Sequence, residues 1–114
     1  MNRKVMALGR MKSGVMNRGE IAYAAHLEAM KHAGEVLWYG FEALTFKLAE
    51  GSRFTPDFIV LLSSGELEAH EIKGRWIGDA KTKIKVAAEK FPMRFIALFA
   101  LPKRDGGGWR VEEF

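Results

Sequence analysis

Two apolar runs separated by a short polar bend dominate the middle of the chain. The first run covers residues 54–62, the second covers 66–74, and Ser63-Ser64-Gly65 lies between them. Runs of this length on either side of a glycine-containing loop predict a β-hairpin. The other predicted elements lie before and after this central hairpin in the chain.

The register of the hairpin brings polar side chains together at its open end. If Gly65 takes the left-handed position of a three-residue loop, Asp57 lies directly opposite Glu71. Opposed Cβ atoms in such a pair are roughly 4.5–5.5 Å apart. Because side chains alternate between the two faces of a strand, Lys73 shares a face with both carboxylates.

Helical and extended patterns flank the hairpin. Asn17 and Asp79 are predicted N-caps of helices over 18–33 and 80–90. Further strands are predicted over 41–48, 94–101 and 109–114, and the near-continuous apolar run at 94–101 is typical of a strand buried on both faces. The strand–helix–strand order after residue 67 predicts parallel pairing. The predicted fold is α/β, with a mixed sheet of about five strands and one helix on each face.

Length and composition indicate one domain without disulfides. The 114 residues suffice for one modest core, and the chain has no cysteine. We expect a flexible basic arm at 1–16 and a folded domain at 17–114. The first ten residues lack the sustained apolar stretch of a signal peptide, so a cytoplasmic location is expected, without membrane or organic cofactor.

Basic residues flank an acidic centre. The net charge is +4, residues 1–18 contain no acid, and residues 73–104 are mainly basic. This distribution fits a protein that grips backbone phosphates on both sides of a central site. A generally solvated basic surface is the alternative explanation. The candidate DNA-binding residues are Arg10, Lys12, Arg75, Lys81 and Lys85.

The convergence of Asp57, Glu71 and Lys73 predicts metal-assisted chemistry. Two carboxylates this close repel each other unless a proton or a cation lies between them. Their oxygens suit Mg²⁺, which proteins hold with one or two carboxylates, water and substrate phosphate. A neighbouring lysine can stabilise charge on a phosphorus centre. A cross-strand salt bridge on a half-exposed sheet is the plainer alternative.

These residues also carry a resemblance to a known family. Pro56-Asp57 followed by Glu71-Ile72-Lys73 resembles the signature of the PD-(D/E)xK nuclease superfamily, and the stretch around it is similar to small phage and prophage nucleases of that superfamily. The resemblance covers about residues 17–101 and implies a restriction-endonuclease-like domain. It implies that Mg²⁺, or Mn²⁺ as a substitute, is held by Asp57, Glu71 and the Ile72 carbonyl.

Glu20, in the first turn of the first helix, has two interpretations. It is three residues after Asn17, so it can complete a capping box. It also shares a stripe of the helix with Tyr23 and Leu27, which would direct it toward the sheet. The resemblance implies an acid at this place near the metal, where Glu20 would hold a second ion or a water beside it.

The function predicted from these features is a metal-dependent DNA endonuclease. A domain of this size favours recognition of branched DNA such as a Holliday junction, or nicking, over sequence reading. Cutting two strands symmetrically implies a homodimer, formed through the apolar residues 36–41 or the N-terminal arm. The alternatives are a DNA-binding accessory protein that keeps the fold without catalysis, and a plain structural phage component.

Overall fold

The structure is a computed structural model that describes residues 14–114. This part of the chain forms two α-helices and seven β-strands. They are α1 (Arg18–His32), β1 (Val36–Phe41), β2 (Phe46–Ala49), β3 (Ser52–Phe54), β4 (Phe58–Leu62), β5 (Leu67–Lys73), α2 (Ala80–Lys90), β6 (Arg94–Ala100) and β7 (Trp109–Glu113). None of the helices in this region is long and apolar enough to cross a membrane.

The central hairpin has the predicted register. β4 and β5 pair antiparallel, with Phe58 opposite His70 and Leu61 opposite Leu67. The Leu62 N–H donates to the Glu66 carbonyl at 2.9 Å. Gly65 has a φ of 93°, a conformation that side chains with a Cβ rarely adopt. The three-residue loop therefore sets the pairing of the whole hairpin.

The main sheet has five strands in the order β1-β4-β5-β6-β7. β5 and β6 are parallel, and the other neighbours are antiparallel. The chain passes from β5 to β6 through α2, as the strand–helix–strand pattern predicts. In β6 the five residues between Arg94 and Ala100 are buried, which confirms that this strand is covered on both faces. The predicted α/β class and mixed sheet are confirmed.

Each face of the sheet packs against one helix. Tyr23 and Leu27 of α1 contact one face, in a cluster with Phe58 and Val60. Ile84 and Ala87 of α2 contact the other face, in a cluster with Ile59, Ala69 and Phe95. Odd and even residues of β4 therefore divide between two cores, as the alternation of a strand requires.

The strand predicted over 41–48 is wrong in its position. The strand that pairs with β4 is β1, which ends at Phe41. The register shifts between Val36 and Trp38, and this bulge breaks the period-two pattern that marks a strand in a sequence. Residues 42–45 turn away from the sheet, and Glu42 adopts a φ of 50° to make that turn.

Residues 46–54 form a separate two-stranded sheet from β2 and β3. Phe46, Leu48 and Phe54 are buried in the core beneath α2. The first strand of the central hairpin therefore begins at Phe58 rather than Phe54. Pro56 is buried just before it, consistent with the expectation that proline makes an irregular start to this strand.

The N-caps of the two helices differ. Asn17 accepts the Glu20 N–H at 2.9 Å, and the Asn17 N–H donates to Glu20 Oε1 at 2.8 Å, which completes the predicted capping box. Asp79 stands at the N-cap position of α2, but its side chain makes no capping hydrogen bond. Most of the predicted flexible arm, including Arg10 and Lys12, lies outside the described residues.

Candidate metal-dependent hydrolytic site

Asp57 and Glu71 meet at the open end of the central hairpin. The Asp57 N–H donates to Glu71 Oε1 at 3.0 Å, and the Ile72 N–H donates to Asp57 Oδ2 at 2.8 Å. Each carboxylate thus binds the backbone of the opposite strand. Because the two side chains replace ladder hydrogen bonds, their oxygens are fixed by the sheet itself.

Pro56, which lies just before β4, makes this arrangement possible. In the pairing pattern of β4 and β5, the N–H and C=O of Ile72 point toward the β4 side, opposite Pro56. The Ile72 N–H binds Asp57 instead of a backbone carbonyl. Proline has no N–H to donate to the Ile72 carbonyl. The Ile72 carbonyl therefore receives no hydrogen bond from residue 56 across this strand pair.

Lys73 completes the group that the sequence predicted. Its Nζ lies 3.2 Å from Glu71 Oε2, and both side chains are mostly buried. The salt bridge named as the plainer alternative is therefore present. It occurs inside a cluster that also contains Asp57, whereas an ordinary surface pair would stand alone in water.

Burial favours protonation of both carboxyl groups, and the charge of Glu71 adds to this effect at Asp57. Burial is the main cause that raises the pKa of Asp57 from 3.8 to about 9, and the charges of Glu71 and Glu20 raise it further. Burial also raises the pKa of Glu71, while the Lys73 ammonium opposes this shift. The pair therefore retains a proton near neutral pH unless another cation replaces it.

Glu20 satisfies both of its predicted interpretations. It closes the capping box of α1, and its carboxyl is near enough to Asp57 to raise the Asp57 pKa by charge and by a hydrogen bond. A Cβ placed on Gly19 would lie 3.7 Å from the Ile72 side chain. The first turn of α1 therefore stands directly against the end of β5 that carries the site.

Glu42 supports the site and was missed in the sequence. Its N–H donates to the Asp57 carbonyl at 2.8 Å, and its Oε1 accepts the Gly14 N–H at 2.8 Å. Glu42 is the described non-glycine residue with positive φ, a conformation that costs free energy and is often found beside functional sites. The alternating pattern over residues 41–48 predicts a strand there and gives no signal for a turn.

The donor atoms fit a hard divalent cation such as Mg²⁺. Asp57 and Glu71 supply carboxylate oxygens, and Ile72 supplies a carbonyl oxygen. Within residues 14–114 no group of three or more histidine, cysteine or acidic side chains could hold a metal ion. Mg²⁺ accepts such a small protein ligand set because water and substrate phosphate complete its octahedron.

Three of the five predicted DNA-binding residues, Arg75, Lys81 and Lys85, lie within the described part of the chain. Lys81 pairs with Glu112 of β7 at 3.1 Å. Lys85, one turn later on α2, is exposed, and so is Arg75 in the loop between β5 and α2. Arg75 and Lys81 follow soon after the end of β5, whereas Lys85 lies in the middle of α2.

A buried polar network on the opposite face of the sheet was also missed. Tyr23 Oη lies 2.7 Å from His70 Nδ1, and His70 Nε2 lies 2.9 Å from Glu68 Oε1. Glu68 Oε2 accepts from Arg94 at 2.8 Å. The signal in the sequence was the i, i+2 spacing of Glu68 and His70, which places both on the face of β5 toward α1.

Comparison with known proteins adds no relative. No family model matches the chain, and neither a curated protein nor a solved structure matches it significantly. The fold and the geometry of the site therefore carry the functional argument.

Proposed function

We propose that this protein is a Mg²⁺-dependent DNA endonuclease, with Mn²⁺ as a substitute metal. The observation that carries the proposal is the buried meeting of Asp57 and Glu71 at the end of the hairpin, with Lys73 3.2 Å from Glu71. In the metal-free fold, it is unfavourable to hold these two carboxyl groups together with one proton between them. A divalent cation between them would offset the Glu71 charge that, after burial, raises the pKa of Asp57.

Each residue of the site has a distinct role in this proposal. Asp57, Glu71 and the Ile72 carbonyl hold the metal, which lowers the pKa of water and neutralises charge on the phosphate. Lys73 stabilises the negative charge that develops on the phosphorus oxygens and orients the attacking water. Glu20 holds the far side of the site through its contact with Asp57.

The charges around the site would direct a phosphate to the open end of the hairpin. The carboxylates alone would repel a phosphodiester, so binding at the site requires the metal and the nearby cations. Arg75 and Lys85 are exposed beyond Lys73 and can bind phosphates along the same strand. In this proposal the DNA backbone crosses the C-terminal end of β5 and the first turns of α2.

The proposed activity is cleavage of branched DNA such as a Holliday junction, or nicking of duplex DNA. The described chain forms one small domain without an added base-reading module. The edge strand β1 exposes Leu37 and Trp38, with 54% and 45% of their surface accessible. A second copy covering β1 would pair two sites and permit symmetric cuts in a four-way junction. Sedimentation of a monomer at working concentration would contradict junction resolution, though not nicking.

The proposal is tested by separating cleavage from binding. Asp57→Asn and Glu71→Gln keep the size of each side chain, and they should abolish cleavage of supercoiled plasmid in Mg²⁺. DNA binding should be unchanged or tighter, because a negative charge beside the phosphate is removed. Glu66→Gln, at the exposed loop end of the same hairpin, is the matched control and should cleave normally. Turnover by either site variant would refute the assignment.

A further inference from the structure

The loop between β5 and α2 presents an exposed isoleucine beside the site. Ile77 has 67% of its surface accessible, the highest value among the large hydrophobic residues that the structure describes as exposed. It is four residues after Lys73 in the chain. A single exposed apolar residue is ordinary on a surface, but this one projects from an anchored position.

Trp76 anchors the loop on the side before Ile77. Its Nε1–H donates to Glu112 Oε1 at 3.1 Å. Its ring packs edge-on against Phe99 and Phe114, with centroids 5.7 Å away in each case. The Lys81 ammonium lies 5.8 Å from the ring centroid. Trp76 thus docks on its own domain, as we expect of a tryptophan in such a loop, and leaves the next residue outside.

A tight turn fixes the loop on the side after Ile77. The Ala80 N–H donates to the Ile77 carbonyl at 3.3 Å, which closes a turn directly before α2. Gly78, inside this turn, has a φ of 59°. The backbone of Ile77 is therefore held between the Trp76 anchor and the start of α2. The loop consequently loses little further conformational freedom when it binds a partner.

We propose that Ile77 is a wedge that inserts between base pairs of the DNA substrate, unstacks one step, and so selects deformable or branched DNA. The inference deepens the proposed nuclease function and depends on it. Apolar side chains inserted in this way kink duplexes, and the unstacking is offset by additional protein contacts with bent DNA. The exposed Arg75 two residues earlier supplies a cation for the adjacent phosphate.

The chain geometry limits where the unstacked step can lie. Four residues span at most about 14 Å between the Cα atoms of Lys73 and Ile77. With a rise of about 3.4 Å per base pair, this distance corresponds to roughly four base pairs along the duplex axis. The unstacked step should therefore lie within about four base pairs of the scissile phosphate. Flexible pyrimidine–purine steps should be preferred there.

Fluorescence of 2-aminopurine tests the wedge without cleavage. Asp57→Asn protein is added at saturation to a duplex carrying 2-aminopurine at a central TA step. Binding should raise the fluorescence above that of the free duplex, as expected when a base leaves its stack. Introducing Ile77→Ser into the Asp57→Asn protein should abolish this rise, whereas introducing Ile77→Phe should retain it. Val111→Ser on β7, where half of the side-chain surface is also exposed, is the matched control and should behave like its parent.

Cleavage by proteins that retain Asp57 completes the test. Ile77→Ser should lower kcat/KM on a junction or TA-rich duplex at least about tenfold, as expected when a few kcal/mol of unstacking is no longer supported. Equal fluorescence or equal cleavage for Ile77→Ser and its parent would overturn the wedge while leaving the nuclease intact. Fluorescence enhancement that needs Ile77 in a protein without metal-dependent cleavage would retain the wedge and refute the nuclease. Failure of the Asp57→Asn protein to bind DNA would overturn the wedge. A change of oligomeric state in Ile77→Ser would also overturn it.

Discussion

Asp57 and Glu71 are joined by a hydrogen bond at the open end of the central hairpin, where the Asp57 N–H donates to Glu71 Oε1 at 3.0 Å. The bond holds two acidic side chains together in a place where they repel each other. Burial raises the pKa of both groups, and the charge of Glu71 raises the pKa of Asp57 further. Their juxtaposition therefore lowers the stability of the metal-free fold, and under the proposed function it provides the site for a cation.

The first prediction concerns stability against pH in the absence of divalent metal. The folded-state pKa of Asp57, about 9, is above its ordinary value of 3.8. The unfolded chain releases this proton near pH 4 and the folded chain keeps it, so the stability from this group is full below pH 4 and is lost as pH rises toward 9. Asp57→Asn cannot ionise, so its Tm advantage over the wild type should grow across this window.

Thermal melts in EDTA at pH 5, 7 and 9 measure this difference. Even about 1 kcal/mol of relieved repulsion changes the Tm of a domain of this size by roughly 4–8 °C. In the wild type, added Mg²⁺ should raise the Tm more at pH 8.5 than at pH 6, because it displaces the retained proton. Parallel melting curves for the two proteins at every pH would contradict the pKa assignment.

The second prediction concerns Lys73. Replacement by Met should lower kcat by about 10²–10³, the usual cost of removing one charge-stabilising group. The Lys73 ammonium also opposes the rise in the Glu71 pKa, so residual activity should need a higher pH than in the wild type. Single-turnover cleavage against pH measures both effects. Lys103→Met, on an exposed turn before β7, serves as the control, and a normal rate in Lys73→Met would remove this lysine from the mechanism.

The third prediction concerns Lys85 on α2. This exposed lysine should contact one DNA phosphate, so Lys85→Gln should weaken binding and reduce the slope of log K against log salt by about 1. The rate at saturating DNA should stay the same, because Lys85 lies outside the carboxylate site. Lys47→Gln, whose lysine pairs with Glu50 at 3.1 Å on the β2–β3 hairpin, should leave the slope unchanged. Equal salt slopes for Lys85→Gln and wild type would place the DNA elsewhere.

The fourth prediction concerns stability alone. Tyr23→Phe removes the buried hydroxyl that lies 2.7 Å from His70 Nδ1 and should cost about 1–3 kcal/mol in urea unfolding. Tyr39→Phe removes an exposed hydrogen bond to Glu28 and should cost less than about 1 kcal/mol. Cleavage at low temperature should be normal in both. Equal losses of stability would mean that the buried network contributes nothing specific.

The sequence predicted the candidate site better than it predicted the sheet edge. Gly65 and the period-two alternation determine the register of the hairpin, so the meeting of Asp57 and Glu71 follows from local rules. The strand β1 did not follow, because its bulge after Val36 disrupts the alternation. Its role depends on pairing with β4, a contact between distant parts of the chain that propensity does not encode.

Other features depend on tertiary contacts in the same way. The contact between Glu20 and Asp57 requires α1 to stand against the end of β5, which no pattern within the helix specifies. Glu42 acquires its support of Asp57 only because the chain turns out of the sheet there. The exposure of Ile77 follows from the docking of Trp76 against Phe99 and Phe114, which the loop sequence does not reveal.

The most direct test of the central claim is cleavage of supercoiled plasmid and a synthetic four-way junction. Wild-type protein is incubated with each substrate in Mg²⁺, Mn²⁺ or EDTA, beside Asp57→Asn. The account predicts cleavage in either metal, none in EDTA, and none by the variant under any condition. Symmetric cuts confined to the junction would identify branched DNA as the substrate. DNA binding without cleavage of either substrate would contradict the nuclease and favour an accessory protein that keeps this fold.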